Sequence, residues 1–349
     1  MEFGMFHEFQ WTPGESEAAA FAHSFEQVDA AERWGLDAMW LAELHFAPER
    51  SVLSAPLVVG SAIAARTRRM KIGTAVQVLP LCHPLRLAEE AATLDQISDG
   101  RLIFGVGRSG FPHTYEAYGV PYAESRERFA ETLEIVRRAW TEPRFSHRGK
   151  YFSYENVALV PKPRQKPHPP IRVAATSPDT YAAIGSLGHA IFVAVRLGTF
   201  SELAPGIQAY REAYRAAGHP GRGEVYLRVP VYVAETAERA RDEPEASIMR
   251  LLRYTGALIG QSAGRAGARE IEQRAERGER MQTITYDEVL RDKVIVGTPA
   301  MVVERLQQLR EEIGLDGILA ELNSGSLIPH DRVLNALRLL CEEVMPRFK

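Results

Sequence analysis

Cysteine is almost missing from this chain: Cys82 and Cys341 are the only two in 349 residues, and they do not stand at metal-ligand spacing. A disulfide framework and a zinc site are therefore not expected, no metal is assigned, and both thiols read as buried or incidental. A charge excess is missing too, since 42 basic residues face 45 acidic ones for a net charge of −3. The basic residues are scattered among acids, which leaves no electrostatic footprint for nucleic acid or an anionic membrane. No apolar run approaches the roughly 18 residues of a membrane span. The opening MEFGMFHEF lacks the charged-then-apolar order of a secretory signal. A cytoplasmic protein is the expectation.

What is present is a large apolar fraction, 45%, with 25% charged residues, enough for one sizeable core. Strand and helix patterns alternate from the first residues. Strands are expected at 2–9, 37–41, 70–79, 101–106, 171–175, 189–195, 225–234 and 316–321. Those at 70–79 and 101–106 are continuous apolar runs, as when helices cover both faces of a parallel sheet. Helices are expected at 16–34, 55–67, 84–98, 124–140, 178–187, 201–217, 299–313 and 330–344. Eight strand–helix pairs predict an α/β fold, a (β/α)8 TIM barrel spanning 1–349 as a single domain. Two stretches break the rhythm. Residues 144–170, after strand 4, carry an aromatic hairpin and a proline-rich return. Residues 235–293, after strand 7, are hydrophilic, with glycines at 256, 260, 264 and 267; they read either as a mobile lid or as a solvated helical insertion. An open doubly wound sheet is the alternative. Against it, the glycine-rich segment Gly105-Val106-Gly107-Arg108-Ser109-Gly110 follows the fourth strand and does not spell G-x-G-x-x-G.

Several residues at the strand ends carry chemistry. Arg108 leaves strand 4 in a loop whose glycines let backbone N–H groups approach an anion, and its guanidinium fork matches phosphate oxygens. Thr176, Ser177 and Thr180 open the helix after strand 5, where hydroxyls either cap the helix or bind a phosphate. His45 suits proton transfer near neutral pH; a structural or packing role is the other reading. His7 and Gln10 follow strand 1, Arg196 strand 6 and Asn323 strand 8. All four are expected to face the barrel mouth as substrate contacts.

Five ordered motifs, Glu43-Leu44-His45-Phe46, Ile72-Gly73-Thr74-Ala75-Val76, His83-Pro84-Leu85-Arg86, Thr93-Leu94-Asp95-Gln96 and Gly100-Arg101 through Arg108, resemble the bacterial luciferase-like flavin monooxygenase family. The resemblance spans nearly the whole chain and is weakest at 235–293. It implies that Arg108, with Ser109, Thr176, Ser177 and Thr180, holds the phosphate of FMN, although some members carry a glutamate where Thr176 stands. It also implies a cis peptide at Ala75–Val76 supporting the flavin ring. Luciferases proper have two histidines after the glutamate, the first being the catalytic acid or base. Here that position is Leu44, leaving His45 as the catalytic candidate, with Glu43 and Leu44 beside substrate. This departure argues against light emission from a long-chain aldehyde.

The implied activity is a two-component monooxygenase. Reduced FMN from a separate flavin reductase reacts with O2, and a flavin hydroperoxide oxygenates a small or medium organic substrate. A homodimer through the second and third helices is also implied. The alternatives are a deazaflavin-dependent oxidoreductase of the same fold and a non-catalytic flavin-binding protein.

Overall fold

The computed structural model describes residues 1–175, 178–195, 198–262 and 271–349. The apolar runs form strands β1 (Glu2–His7), β2 (Ala38–Leu41), β3 (Lys71–Thr74), β4 (Gln77–Val78), β5 (Leu102–Gly107), β6 (Phe145–Arg148), β7 (Ser153–Val157), β8 (Ile171–Ala174), β9 (Ala190–Ala194), β10 (Val225–Val233), β11 (Ile295–Gly297) and β12 (Gly317–Glu321). The helices are α1 (Glu17–Arg33), α2 (Pro56–Arg66), α3 (Pro84–Ile97), α4 (Pro112–Ala117), α5 (Ser125–Thr141), α6 (Pro178–Leu187), α7 (Ala204–Ala216), α8 (Ala237–Asp242), α9 (Glu245–Ser262), α10 (Ile271–Thr283), α11 (Tyr286–Asp292), α12 (Pro299–Ile313) and α13 (His330–Leu339). Parallel pairing in the order β1-β2-β3-β5-β8-β9-β10-β12 closes back on β1, giving the eight-stranded barrel. β11 adds to the far half of β10.

Strand alternation separates two cores. The outward faces of the strands and the inner faces of the helices form the larger one. Phe6, Ala38, Trp40, Ile103, Phe192, Tyr226 and Leu319 fill the barrel itself. Trp40 is too large for an ordinary layer, and its two neighbouring strands make room with glycine. A Cβ on Gly4 would lie 2.3 Å from the indole, and one on Gly73 2.1 Å. Arg172 closes the lower end, its guanidinium 3.4 Å from the Tyr226 ring centroid and bonded to Glu2 at 2.7 Å. Burial alone would raise the Glu2 pKa, but Arg172 and Lys71 outweigh it and hold the carboxyl below its ordinary range.

The pairing of β3 with β5 is interrupted where the site lies. Gly73 pairs with Ile103, but Gln77 pairs with Val106, so Thr74-Ala75-Val76 stand opposite only Phe104-Gly105. This is a one-residue bulge, and the Ala75–Val76 peptide within it is cis. The Thr74 hydroxyl replaces the lost ladder, donating to Gly105 O at 2.7 Å and accepting from Gly105 N at 3.0 Å. Glycine is required opposite: a Cβ on Gly105 would sit 1.7 Å from Thr74 O, and one on Gly107 2.5 Å from the Val76 side chain.

The first insertion is the antiparallel hairpin β6–β7, held on α5 by Glu131, which accepts from the Tyr151 and Phe152 backbone N–H groups. The second is helical, α8 to α11. Its glycines at 256 and 278 are packing contacts, since a Cβ on either would lie 2.8 Å from the other's carbonyl oxygen. Gly264 and Gly267 lie outside the described residues. No described helix is long and apolar enough to cross a membrane.

Candidate active site

β2 runs into the loop that carries Glu43 and His45, and three donors are directed at the Glu43 carboxylate. Oε1 accepts from His45 Nε2 at 2.8 Å, while Oε2 accepts from Gln77 Nε2 at 2.5 Å and from the Val78 backbone N–H at 2.7 Å. Glu43 is thus tied across the bulge to β4. The other nitrogen of His45, Nδ1, meets the Tyr118 hydroxyl at 3.2 Å. Glu43, Leu44, His45, Val78 and Ser109 line a cleft open to solvent. Phe111, His113, Thr114, and Tyr254 and Leu258 from α9 complete it. The helical insertion therefore supplies one wall.

β5 delivers Arg108 and Ser109 to the same end of the barrel. The Arg108 Nη1 donates to Ser125 Oγ at 3.1 Å, which orients the guanidinium at the start of α5. Its backbone carbonyl accepts from the Tyr115 hydroxyl. Ser109 takes the left-handed conformation, φ 60°, so the chain turns sharply as it leaves the strand.

Beneath the cleft lies a balanced charge network. Glu8 accepts from Arg50 Nε at 2.7 Å and from Arg228 at 3.2 Å, and Arg228 also donates to Glu321 at 2.6 Å. The Arg228 guanidinium lies 3.7 Å from the Phe6 ring centroid, which caps the apolar barrel interior. Burial works to raise the Glu8 pKa, and the cations of Arg50 and Arg228 overcome it, keeping the carboxyl below its ordinary range. Two carboxylates thus neutralise two guanidinium groups, Arg50 being one that also borders the cleft.

The sequence profile of the family described as "Luciferase-like monooxygenase" matches residues 1–317. The chain belongs to that family. The oxygenase component of a flavin-dependent trigonelline monooxygenase from Acinetobacter baylyi is 26% identical over 100% of this chain and 96% of its own length. The crystal structure of monooxygenase RslO1 from Streptomyces bottropensis superposes with a TM-score of 0.80 at 27% identity, covering 100% of both chains. An F420-dependent glucose-6-phosphate dehydrogenase from Kineococcus radiotolerans is 33% identical over 54% of this chain and 57% of its own. The protein is accordingly an enzyme, a flavin-dependent oxidoreductase of the luciferase-like monooxygenase type.

Within this luciferase-like barrel the expected site residues divide sharply. Glu43, Leu44, His45 and Ser109 line one cleft, with Arg108 beside Ser109, and Ala75 and Val76 pack against the barrel interior from the bulge. Thr180 lies in the first turn of α6. Thr176, Ser177 and Arg196 lie outside the described residues.

Two expectations are corrected. His7 does not face the mouth: Phe6 and Glu8 point into the barrel, so alternation turns His7 outward under α1. There its Nδ1 accepts from Phe9 N at 2.9 Å and its Nε2 donates to Gln27 Oε1 at 3.0 Å. Burial lowers its pKa to about 4. Asn323 is likewise buried in structure, its Oδ1 accepting from Ile328 N at 3.0 Å and its amide donating to Ile328 O at 3.3 Å, which closes the loop after β12. Gln10 is half-buried, in an antiparallel bridge with Ser51. The sequence reading missed Tyr118, Gln77, Tyr254 and the Glu8–Arg50–Arg228–Glu321 network.

Proposed function

We propose that this enzyme binds reduced FMN with its phosphate at Arg108 and uses it with O2 to oxygenate a small or medium organic substrate. The observation that carries the reading is the convergence at one barrel end of an oriented guanidinium, a strand bulge and a carboxylate–imidazole pair. The residues fit such a group. Arg108 offers a fork of N–H donors for phosphate oxygens, with Ser109, Thr176, Ser177 and Thr180 as further candidates. The glycines at 105 and 107 leave the bulge of Ala75 and Val76 free of side chains from β5, as a planar ring system requires.

When bound, reduced flavin supplies the electrons that activate O2. The chain's own residues do the rest. Arg108 anchors, Ala75 and Val76 set the depth of the ring, and Leu44, Phe111 and Leu258 exclude water. His45 holds or moves a proton, with Glu43 fixing its ring. The same reading carries a separate flavin reductase as partner. It also carries a homodimer through α2 and α3, on whose surface Val58 is 71% exposed.

The test is anaerobic titration of the protein with reduced FMN and, separately, with reduced F420, followed by mixing with 18O2 and a substrate panel. Tight FMN binding and one labelled oxygen in product are expected. Arg108→Ala is expected to weaken FMN binding by roughly 10- to 100-fold, the worth of hydrogen bonds to a charged group, while leaving riboflavin, which has no phosphate, unaffected. Preference for F420 without O2 uptake refutes the monooxygenase reading in favour of a deazaflavin enzyme. Tight flavin binding without any product indicates a flavin-binding protein.

A further inference from the structure

The imidazole of His45 has no free nitrogen. Its Nε2 faces Glu43 at 2.8 Å and its Nδ1 faces the Tyr118 hydroxyl at 3.2 Å. The Glu43 carboxylate accepts at both oxygens, so the proton between it and His45 sits on Nε2. In the neutral ring Nδ1 is then a lone pair, and the Tyr118 O–H must donate to it. Tyr118 is packed for this contact. It caps the C-terminus of α4, its ring meets His45 edge-on at 5.1 Å, and Phe46 lies against it at 5.7 Å. The residue is 47% exposed and stands between the part-buried acid–base pair and the surface.

We infer that Tyr118 is a positioning residue for His45 and the port through which its ring exchanges protons with solvent. This inference rests on the reading of His45 as the proton-handling group. The proton count closes. As the Tyr118 O–H breaks and passes its proton to Nδ1, Oη takes a proton from hydronium in the solvent, which leaves as water, and the ring becomes imidazolium with its positive charge facing Glu43. The hydroxyl then accepts from Nδ1–H and donates to water. Release is the reverse. The titratable groups surrounding the pair are Glu43, Cys82 behind Glu43, and Arg50, His113 and Tyr254 across the cleft.

The experiment uses the cofactor-free protein with 15N-labelled histidine, so it does not depend on turnover. Wild-type His45, assigned with His45→Asn, is expected to show a protonated Nε2 and a hydrogen-bonded acceptor Nδ1. Tyr118→Phe is expected to move the Nδ1 resonance downfield to that of a free acceptor while Nε2 stays protonated. The rate at which Nδ1 gains and loses its proton, read from exchange broadening of the Nδ1 resonance, is expected to slow by about tenfold, the factor one hydrogen bond carries, and added imidazole buffer is expected to restore it. An Nδ1 resonance that does not move overturns the contact. Exchange that is unchanged, or slowed but insensitive to buffer, overturns the port. If both spectroscopic results appear but no oxygenated product is ever found, the inference stands and the proposed function falls.

Discussion

The Gly105→Ala substitution tests whether the bulge at Thr74–Val76 depends on glycine in the strand beside it. The new Cβ would lie 1.7 Å from the Thr74 carbonyl oxygen and 2.8 Å from the Phe192 ring, far inside the 3.4 Å at which ordinary contact begins. The ring can tilt, but the carbonyl belongs to a strand pinned by β2 on its other side. β3 and β5 must therefore part, and both hydrogen bonds of the Thr74 hydroxyl with Gly105 go with them. Overpacking of this kind costs about 1–3 kcal/mol, and each lost bond adds about 1 kcal/mol. A total of about 3–5 kcal/mol is a large share of the roughly 5–15 kcal/mol that holds an ordinary domain. Urea unfolding followed by tryptophan fluorescence measures it. Gly260→Ala is the control, because a Cβ there meets nothing within 4 Å. In helix α9 alanine is expected to add up to about 1 kcal/mol. A Gly105→Ala protein within about 1 kcal/mol of wild type would show that the strands yield freely, and the account of the bulge would be wrong.

Other consequences follow from burial and charge. Gly256→Val is expected to pry α9 from α10, costing about 1–3 kcal/mol; hydrogen exchange should then rise in both helices but not in the barrel strands. His7 has a pKa lowered by burial to about 4 from an ordinary 6.5. The unfolded chain therefore binds a proton in that window that the native state does not. Stability is complete above about pH 6.5 and falls by up to about 3 kcal/mol as the pH drops to 4. His7→Asn should flatten this part of the pH–stability curve, and an unchanged slope would refute the assignment. Glu8→Gln leaves Arg50 buried without its carboxylate and is expected to cost about 3–5 kcal/mol. Pairing it with Arg50→Met should recover much of that loss in a double-mutant cycle.

The barrel is legible in the chain because its strands are buried on both faces and read as apolar runs separated by amphipathic helices. That same feature hides which way each side chain points. In Phe3-Gly4-Met5-Phe6-His7-Glu8 nothing alternates, so His7 looks as eligible for the mouth as Glu8, and only the register with β2 decides between them. The bulge is invisible to periodicity, since Thr74-Ala75-Val76-Gln77 continues an unbroken strand pattern, and only the resemblance pointed to it. Tyr118 gave no signal either, being one aromatic residue in a short helix end. The charge network did leave a trace. Arg228 lies within Val-Tyr-Leu-Arg-Val-Pro-Val, and Glu321 ends an equally apolar strand. A charge in such a run demands an opposite charge, but the partners come from residues 8, 50, 228 and 321, which only closure of the barrel brings together.

The motifs that carry the family resemblance are, in large part, architecture. Asp95 accepts from the Gln165 backbone and side chain at 2.9 and 2.7 Å, anchoring the proline-rich return before β8. Arg101 donates to Thr67 Oγ1, Met70 O and Ala64 O within 2.9 Å, tying the end of α2 to the start of β3. His83 caps α3, and the glycines at 73, 105 and 107 clear space for Trp40, for Thr74 O and for Val76. These contacts fix where β3, β4 and β5 end, and so where Glu43, Val76 and Arg108 stand relative to one another. The side chains that line the cleft outside these contacts include Leu44, Phe111, His113, Tyr254 and Leu258. Differences in substrate among barrels with this frame should therefore track these five positions. Exchanging them, with Asp95, Arg101 and the three glycines left in place, is the change that should alter what is oxygenated while preserving how the cofactor is held.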